Sequence, residues 1–420
     1  MPVIDLRYGT RAIPFEYDLN RFSVLGLEET RPALTDIEIG ARLDSPSGSP
    51  AMEEIVNAGE TVLIVVPDAT REVGCGQVAN LVIRRLIATG VNPFDIRIIF
   101  ATGIHRRVTE DEKREILTPF VTQRIKTLDH HPRDLMHIVQ LGETATGIPV
   151  ELNRALIEHD HVFLIGGVSF HYFAGFTGGR KLVCPGLASS KTVAASHKLA
   201  FDCSMHDRRE GVGTALLDGN AVHEAFSEIA SKVNVTFCIT SDVNDTGGIV
   251  DLQAGDMSTS HRTACERFAA RQTVEITEKR DLVIVSCGGS PHDLNMIQAH
   301  KALDAAATAC SDGGMIVLLA ECSEGLGRAD FLNWFESENS EALAHRLCDG
   351  YQVNGQTAWS LLKKTERFDV RIVTTLPADA TEKMRMVSMQ SLDRVIKKVP
   401  KEKAGYILPQ GAKIFVKLNS

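Results

Sequence analysis

The sequence lacks long apolar runs, closely spaced cysteine pairs and a net positive charge. No stretch reaches the roughly 18 consecutive apolar residues that a membrane-spanning helix requires, so we expect no membrane partner. The first residues, MPVIDLRYGT, have neither the basic nor the apolar region of a secretory signal, and we therefore expect a cytoplasmic protein. The net charge of −9 argues against nucleic acid as the main partner, because binding to phosphates requires a basic surface.

The nine cysteines are scattered, odd in number and never spaced C-x-x-C. This pattern predicts reduced thiols and offers neither a disulfide framework nor a zinc ribbon. Cys184, which directly precedes Pro185, is interpreted as a packed thiol and not as a nucleophile, because no base can be assigned to it.

Short β-branched runs alternate with helical segments along the 420 residues, which exceed the size of one ordinary core. This predicts an α/β fold with two domains, each a mostly parallel sheet flanked by helices, and an active site in the cleft between them. We expect an N-terminal cofactor-binding and catalytic domain over 1–272 and a C-terminal domain that closes the cleft over 273–420. The predicted strands cover 61–66, 96–101, 162–167, 233–239, 281–287, 315–320 and 369–375, and the predicted helices cover 77–89, 261–272 and 298–311.

The segment Val162–His197 contains several side chains that can take part in binding or catalysis. A glycine-rich turn follows its strand and presents His171, Arg180 and Lys181, and a helix that carries His197 begins after Pro185-Gly186. Ligands in open α/β sheets bind beyond the carboxyl ends of the strands, so these side chains indicate a binding site.

The pair Gly178-Gly179 precedes the two basic residues of this turn. Glycine adopts positive φ values that other residues avoid, and we expect this pair to let the backbone approach an anionic ligand closely.

Two other loops follow predicted strands of the N-terminal half. In PDATR, Asp68 or Thr70 is placed to cap a helix, and Arg71 to bind a carboxylate or phosphate with two hydrogen bonds. In TGIHRR, His105 lies at a second strand end. Taken alone, the PDATR loop is also explained by an ordinary capped turn, and the TGIHRR loop by a structural histidine.

In the C-terminal half, Gln298 and Lys301 are three residues apart and share one face at the start of a predicted helix. A capped helix with an exposed lysine is the alternative interpretation. The concentration of all these residues at strand ends nevertheless favours one ligand site with two histidines.

Taken in order, PDATR, TGIHR, HYFAGFTGGRKLVCPG, His197 and NMIQAHK resemble the nickel-pincer-nucleotide-dependent lactate racemase family. The matching motifs run from about Pro67 to Lys301. Their most specific part is GGRK followed by PG, with one histidine ten residues before the lysine and another sixteen after it.

The resemblance implies a nickel-pincer nucleotide, Ni(II)-pyridinium-3,5-bisthiocarboxylic acid mononucleotide, attached covalently at Lys181. It implies that His197 completes the square-planar nickel site, which suits Ni(II) with soft donors and imidazole. His105 and His171 match the paired acid/base residues. The other implied contacts are Asp68, Ala69, Thr70, Arg71, Gly178, Gly179 and Arg180 with the cofactor, and Arg71, Gln298 and Lys301 with the substrate.

The implied activity is racemisation or epimerisation at C2 of a 2-hydroxy acid by reversible hydride transfer to the cofactor. One imidazole would exchange a proton with the hydroxyl group of each enantiomer. The implied partners are this small-molecule substrate and the proteins that build the cofactor.

The sequence departs from the family pattern at Ile297, where members that act on lactate carry a tyrosine. The counterpart of a family tryptophan is Gly355 or Gln356 in our alignment, although Trp359 lies nearby. A smaller residue there would enlarge the pocket, so we expect a 2-hydroxy acid other than lactate.

Two other classes of function are compatible with the same residues. In a metal-dependent hydrolase, Asp68, His105, His171 and His197 would surround zinc, but Lys181 and the paired glycines would have no role. In a non-catalytic cofactor- or nucleotide-binding protein, the glycine turn would bind the nucleotide, and the first two histidines would be structural.

Overall fold

The computed structural model describes residues 1–26, 31–71, 73–244 and 246–419. The chain forms two compact units. The first unit contains Thr30–Ala200 and Glu210–Phe268, and the second contains Met1–Glu29, Phe201–Arg209 and Ala269–Ser420.

The first unit is built on a six-stranded sheet in which all neighbours are parallel except the last pair. Its strands, in spatial order, are Lys126–Asp129, Ile96–Ala101, Val62–Pro67, His161–Gly167, Val235–Val243 and Ile249–Gly255. Every residue of Val62–Pro67 is buried, because both faces of this central strand are covered.

The helices and short strands of the first unit surround this sheet. The α-helices are Asp36–Leu43, Met52–Ile55, Cys75–Ala88, Glu110–Ile116, Pro119–Arg124, Ala155–Glu158, Ser190–Lys198, Ala221–Ala230 and Met257–Gln272, the last of which runs past the unit boundary. The shorter elements are the strands Ile138–Glu143, Pro149–Asn153, Phe170–His171, Ala174–Phe176 and Gly213–Thr214 and the 3-10 turns Pro93–Asp95 and Gly179–Leu182.

The second unit contains a six-stranded sheet that is parallel throughout. In spatial order its strands are Val387–Met389, Asp369–Val373, Cys310–Leu319, Arg280–Ser286, Gly405–Leu408 and Phe22–Val24. Along the strand Arg280–Ser286, Val283 and Val285 join one apolar cluster while Leu282 and Ile284 join another. This alternation places a core on each face of the sheet, as expected for a parallel sheet flanked by helices.

Helices and small strands complete the second unit. Its α-helices are Met296–Ala299, Ala302–Ala309, Ser340–Asp349, Val353–Arg367, Ala378–Lys383 and Leu392–Ile396, with a 3-10 segment at Phe331–Glu336. The remaining strands are Val3–Tyr8, Arg11–Glu16, Phe201–Asp202, Asp207–Arg208, Thr273–Ile276 and Phe415–Leu418. Among the described residues of both units, no helix combines the length and apolar composition that crossing a bilayer requires.

The α/β class, the parallel sheets and the seven predicted strands are confirmed. The units differ from the continuous spans 1–272 and 273–420, because Phe22–Val24 pairs with Gly405–Leu408 and the segment Phe201–Arg209 packs in the second unit. The predicted helix 298–311 is interrupted, because His300 and Lys301 separate the helix Met296–Ala299 from the helix Ala302–Ala309.

The expectation that all cysteines are reduced is wrong for one pair. Cys203 and Cys348, which are 145 residues apart in the sequence, form a disulfide within the second unit. The other seven cysteines are free and buried. Burial raises the pKa of the Cys184 thiol to about 12, which agrees with its interpretation as a packed, unreactive group.

Candidate functional site

Three neighbouring parallel strands of the first unit end at the same edge of its sheet. The loops that follow Val62–Pro67, Ile96–Ala101 and His161–Gly167 contain Asp68, His105 and the glycine-rich turn. The topology therefore places the three motifs of the N-terminal half side by side, as the position of ligand sites in α/β sheets predicted.

Asp68 and His105 form a direct pair. Nδ1 of His105 lies 2.7 Å from Oδ2 of Asp68, whose side chain is buried while that of His105 is 45% exposed. Burial alone would raise the pKa of Asp68, but the charge of His105 and hydrogen bonds from His105 and Thr70 outweigh burial and lower it to about 2. The carboxylate is therefore ionised at neutral pH and can only accept a hydrogen bond.

This pairing fixes the tautomer of His105. Its Nδ1–H donates to the carboxylate of Asp68, so the neutral ring has its lone pair on Nε2. Half-exposed, with an imidazole nitrogen available as a proton acceptor, His105 has the geometry of a general base oriented by a carboxylate.

The other carboxylate oxygen of Asp68 organises its own loop. Oδ1 accepts from the backbone N–H of Thr70 at 3.1 Å and from its hydroxyl group at 2.6 Å. The prediction that Asp68 or Thr70 caps a helix is wrong, because the next helix begins at Cys75 after Gly74, which offers no side-chain cap. Sequence reasoning also missed the pairing with His105, since the two residues lie 37 positions apart.

Arg71 is half-buried at the end of this loop. Burial lowers the pKa of its guanidinium, and the charge of Asp68 partly offsets that effect. Because a guanidinium is not deprotonated in proteins, Arg71 contributes a positive charge beside the Asp68–His105 pair.

The glycine turn has the positive φ values that were expected of it. Gly178 and Gly179 have φ values of +81° and +50°. A Cβ atom on Gly178 would lie 2.8 Å from the carbonyl oxygen of Gly167, and one on Gly179 would lie 2.8 Å from the ring of His261. These contacts show that the two glycines are required by packing within the protein.

Arg180 likewise contacts protein groups. Its guanidinium donates to the carbonyl oxygen of Ala174 at 2.9 Å and lies 2.9 Å from Nε2 of His261. The residue is only 2% exposed, and its Nε atom has no hydrogen-bond partner among the described residues. Burial lowers its pKa to about 10, so the turn contains a positive charge that is still present at neutral pH.

Lys181 and His197 share two aromatic neighbours. The amine of Lys181 lies 5.7 Å from the ring centroid of Phe173 and 5.6 Å from that of Phe226. The ring centroid of His197 lies 5.2 Å and 5.4 Å from the same two centroids. The structure therefore brings together the amine and the imidazole that lie sixteen residues apart in the sequence.

The environment of His197 keeps its ring neutral. Burial, and to a lesser degree the charge of Lys181, lowers its pKa to about 3. Nδ1–H donates to the carbonyl oxygen of Val193 at 2.8 Å, which leaves the lone pair on Nε2. A neutral imidazole with one nitrogen fixed by a backbone carbonyl is the usual state of a histidine that binds a metal.

His171 is buried on the short strand that precedes the glycine turn. The backbone N–H of Ala174 donates to its Nδ1 at 3.3 Å, so the neutral ring has its proton on Nε2. The two predicted acid/base histidines therefore differ at Nε2. Neutral His105 has a lone pair on this nitrogen, whereas neutral His171 has a proton on it.

A contact between two loops was not foreseen from the sequence. The N–H of Gly103 donates to the carbonyl oxygen of Gly186 at 2.8 Å, which joins the TGIHR loop to the chain after the glycine turn. The adjacent Thr102 is buried, and its hydroxyl oxygen has no hydrogen-bond partner among the described residues. In the sequence, this polar group was indicated by the threonine of the motif TGIHR.

In the second unit, Gln298 and Lys301 are neighbours as predicted, since the amine of Lys301 donates to Oε1 of Gln298. Ile297 packs against the apolar core of this unit. The extra space expected at Gly355 is absent, because a Cβ there would lie 2.7 Å from the ring of Trp334.

The described residues contain no group of three or more His, Cys, Asp or Glu side chains placed to hold a metal ion. The hydrolase alternative requires such a group around zinc, so this arrangement does not favour it. The same edge of the sheet instead offers an imidazole oriented by a carboxylate, together with a lysine and a neutral histidine that share two aromatic neighbours. These groups are suited to moving a proton beside a bound group.

Comparison with known proteins identifies the family. A family model described as "Lactate racemase N-terminal domain" matches residues 8–208, and one described as "Lactate racemase C-terminal domain" matches residues 276–416. The lactate racemase of Thermoanaerobacterium thermosaccharolyticum is 28% identical over 353 residues, 83% of this chain and 81% of that protein. The lactate racemase of Lactiplantibacillus plantarum is 30% identical over 335 residues, 79% of this chain and 77% of that protein.

Solved structures agree. The lactate racemase apoprotein from Thermoanaerobacterium thermosaccharolyticum matches with a TM-score of 0.89 at 25% identity, covering 99% of this chain and 100% of that one. A protein from Thermotoga maritima matches with a TM-score of 0.70 at 20% identity, covering 93% and 100%, and indicates the fold alone. The chain belongs to the lactate racemase family, as the motifs predicted, and it is an isomerase of the racemase type.

Proposed function

We propose that this enzyme inverts C2 of a 2-hydroxy acid other than lactate, with a nickel-pincer nucleotide attached at Lys181 and ligated by His197. The observation that supports the proposal best is the shared contact of Lys181 and His197 with the rings of Phe173 and Phe226. When bound, the nucleotide would supply a reversible hydride acceptor for the hydrogen at C2.

The residues around His197 fit a metal of this kind. Its ring is neutral, its Nδ1 is occupied by the Val193 carbonyl, and no hydrogen bond to Nε2 is present within the described chain. Formation of a thioamide at Lys181 would replace its ammonium group by a neutral one. Because the charge of Lys181 is one cause of the low pKa of His197, attachment would also make this imidazole a better electron donor.

The proton of the substrate's hydroxyl group requires a base, and His105 has the geometry for it. Its Nε2 accepts the proton, and the ionised carboxylate of Asp68 stabilises the imidazolium that forms, across a distance of 2.7 Å. Asp68 is therefore a positioning residue for His105, although the sequence predicted a contact with the cofactor.

His171 is proposed as the partner histidine that serves the opposite enantiomer. In its neutral form the ring offers a proton at Nε2, because Nδ1 accepts from the backbone of Ala174. It would donate a hydrogen bond to the substrate's oxygen while His105 accepts the proton. To act as the base for the opposite enantiomer, the neutral ring would first move its proton from Nε2 to Nδ1, which breaks the contact with Ala174 and leaves the lone pair on Nε2.

The remaining assignments are proposals of the same kind. Arg71, Gln298 and Lys301 are proposed to bind the substrate's carboxylate, since cationic and amide groups recognise this group. Ala69, Thr70, Gly178 and Gly179 are proposed to line the cofactor through backbone groups. The preference against lactate depends on Ile297, which cannot offer the hydroxyl group of a tyrosine.

A test requires protein that has been loaded with the nucleotide. Intact mass should show a covalent adduct that is absent from Lys181→Ala. Chiral chromatography should show racemisation of at least one member of a panel of malate, aromatic and sugar-derived 2-hydroxy acids, with deuterium at C2 retained.

Two variants separate the parts of the proposal. His105→Ala should retain the adduct but lose turnover, whereas His137→Ala, which changes an exposed histidine of the same unit, should behave like the unmodified protein. Full activity of His105→Ala would contradict the assigned base. A preference for lactate over the rest of the panel would contradict the substrate assignment alone.

A further inference from the structure

Two histidines and two cysteines of the second unit lie together on a short turn and a helix. Cys203 and His206 are the first and last residues of the turn between the strands Phe201–Asp202 and Asp207–Arg208. His345 and Cys348 belong to the last two turns of the helix Ser340–Asp349.

The turn and the helix pair residue by residue. Cys203 and Cys348 have Cα atoms 5.7 Å apart and are joined by the disulfide. The ring centroids of His206 and His345 are 3.9 Å apart. Residues three apart on a helix, such as His345 and Cys348, have Cβ atoms about 5–6 Å apart, and the ends of a β-turn have Cα atoms less than about 7 Å apart.

These four side chains form a Cys₂His₂ set, written C-x₂-H on the hairpin and H-x₂-C on the helix. Two thiolates and two imidazoles around one ion are the donors of structural zinc sites. No C-x-x-C pair is present, so cysteine spacing alone gave no indication of this cluster.

The carboxylates near the turn are occupied elsewhere. Asp202 accepts from the N–H and hydroxyl groups of Ser204, at 2.8 Å and 2.7 Å. Asp207 pairs with the amine of Lys363 at 2.7 Å. Nitrogen and sulfur are therefore the donors that the turn offers to a metal.

We propose that Cys203, His206, His345 and Cys348 bind one Zn²⁺ ion when the two cysteines are reduced. The described residues contain no group of three or more such side chains placed to hold a metal ion. Two sulfurs joined in a disulfide cannot bind a metal as thiolates, so the disulfide and the zinc site are alternative states of the same residues. Both states attach the hairpin Phe201–Arg208 to the helix Ser340–Asp349.

The change of state is balanced. A dithiol reductant transfers two electrons and two protons to the disulfide and becomes a disulfide itself, which leaves two protein thiols. Zn²⁺ then displaces both thiol protons and binds two thiolates and two neutral imidazoles.

The hairpin needs such an attachment because it is very short. Each of its strands contributes only two paired residues, and an isolated hairpin of this size is not stable in water. Its other anchors are the edge-on contact between Phe201 and Trp359, with centroids 5.0 Å apart, and the Asp207–Lys363 pair.

The test uses the full chain, reduced with a phosphine under argon and titrated with Co²⁺ as a spectroscopic probe for zinc. We expect one Co²⁺ per chain, with the ligand-field bands of a tetrahedral site and thiolate-to-metal charge-transfer bands, and displacement of Co²⁺ by Zn²⁺. The thiolate bands distinguish this site from the proposed nickel site, which uses no cysteine. The unreduced chain should show neither set of bands.

His345→Asn is the most informative variant, because His345 is exposed and the disulfide remains possible. It should weaken Co²⁺ binding by at least about tenfold, and Cys348→Ser should abolish the thiolate bands. His137→Asn and Cys310→Ser change a histidine and a cysteine outside the cluster and should bind Co²⁺ like the unmodified chain.

Hydrogen exchange of the reduced chain provides a second measurement. Zn²⁺ should slow exchange in residues 201–208 of the unmodified chain but not of His345→Asn. Absence of thiolate bands in the reduced chain, or equal Co²⁺ affinity of His345→Asn and the unmodified chain, would overturn the proposal and leave the pair as a disulfide only.

Discussion

Replacing Asp68 by asparagine tests the part of the proposed mechanism that the geometry defines best. The substitution keeps the size of the side chain but removes the charge that faces Nδ1 of His105 at 2.7 Å. An amide can also donate to Nδ1, which would move the ring proton to Nε2 and remove the lone pair that accepts the substrate's proton. Both effects act on the base, and neither acts on the attachment of the cofactor.

The expected magnitude follows from the electrostatics of the pair. Unit charges about 4 Å apart interact by about 4 kcal/mol at an effective dielectric constant of 20. Because the side chain of His105 is 45% exposed, solvent screens part of this energy, and we expect a loss of about 3 kcal/mol of stabilisation for the imidazolium. That energy corresponds to a decrease of about 100-fold in kcat.

The assay measures kcat and KM for racemisation by cofactor-loaded Asp68→Asn, together with the intact mass of the protein. We expect a lower kcat, a nearly unchanged KM, a retained adduct and an altered pH profile of kcat. Asp134→Asn is a matched control, since Asp134 contacts Nδ1 of His137 at 2.9 Å on the surface of the same unit. Wild-type kcat in Asp68→Asn, or an equal loss in Asp134→Asn, would refute the reasoning.

Three further predictions concern stability and specificity. Burial lowers the pKa of His130 to about 4, so this group leaves the unfolding free energy undiminished above about pH 6.5 and lowers it increasingly as the pH falls. The unfolding free energy, measured with urea, should therefore fall less between pH 7 and pH 5 in His130→Gln than in the unmodified protein, by about 2 kcal/mol. An unchanged pH dependence would contradict this. Gly179→Ala should lower the unfolding free energy more than Gly142→Ala, because both have positive φ but only Gly179 faces a ring, that of His261, at 2.8 Å; equal losses in thermal or urea unfolding would rule out the clash. Ile297→Tyr should raise kcat/KM for lactate relative to the preferred substrate, and a constant ratio would remove Ile297 from the specificity argument.

The strands that position the site were predictable because their sequences are almost entirely apolar. Val62–Pro67 is buried at every position and Ile96–Ala101 at four of its six positions, and such runs indicate central strands of a parallel sheet. The loops after them were therefore correctly placed at one edge of the sheet. The contacts between those loops were not predictable, because a hydrogen bond such as that from His105 to Asp68 depends on tertiary geometry and not on local pattern.

The two discontinuous parts of the second unit show a similar limit. Phe22–Val24 pairs with Gly405–Leu408 across nearly the whole length of the sequence, and no local signal encodes such a partner. The hairpin Phe201–Arg208 contains too few paired residues for its pattern to predict strands. Cysteine spacing did not predict the disulfide for the same reason, because Cys203 and Cys348 are far apart in the sequence and only the fold brings them together.

The contacts of Arg180 within its own turn were not predictable from the sequence, although its positive charge was. The sequence indicated a positive charge for an anionic ligand, but the guanidinium is 2% exposed and donates to the backbone of its own turn. None of its hydrogen-bond partners among the described residues is a carboxylate, and burial lowers its pKa only to about 10. A buried cation without an acidic partner is costly, and the fold retains this charge directly before Lys181. Under the proposed function, this charge would favour an anionic group at Lys181 through its electrostatic field.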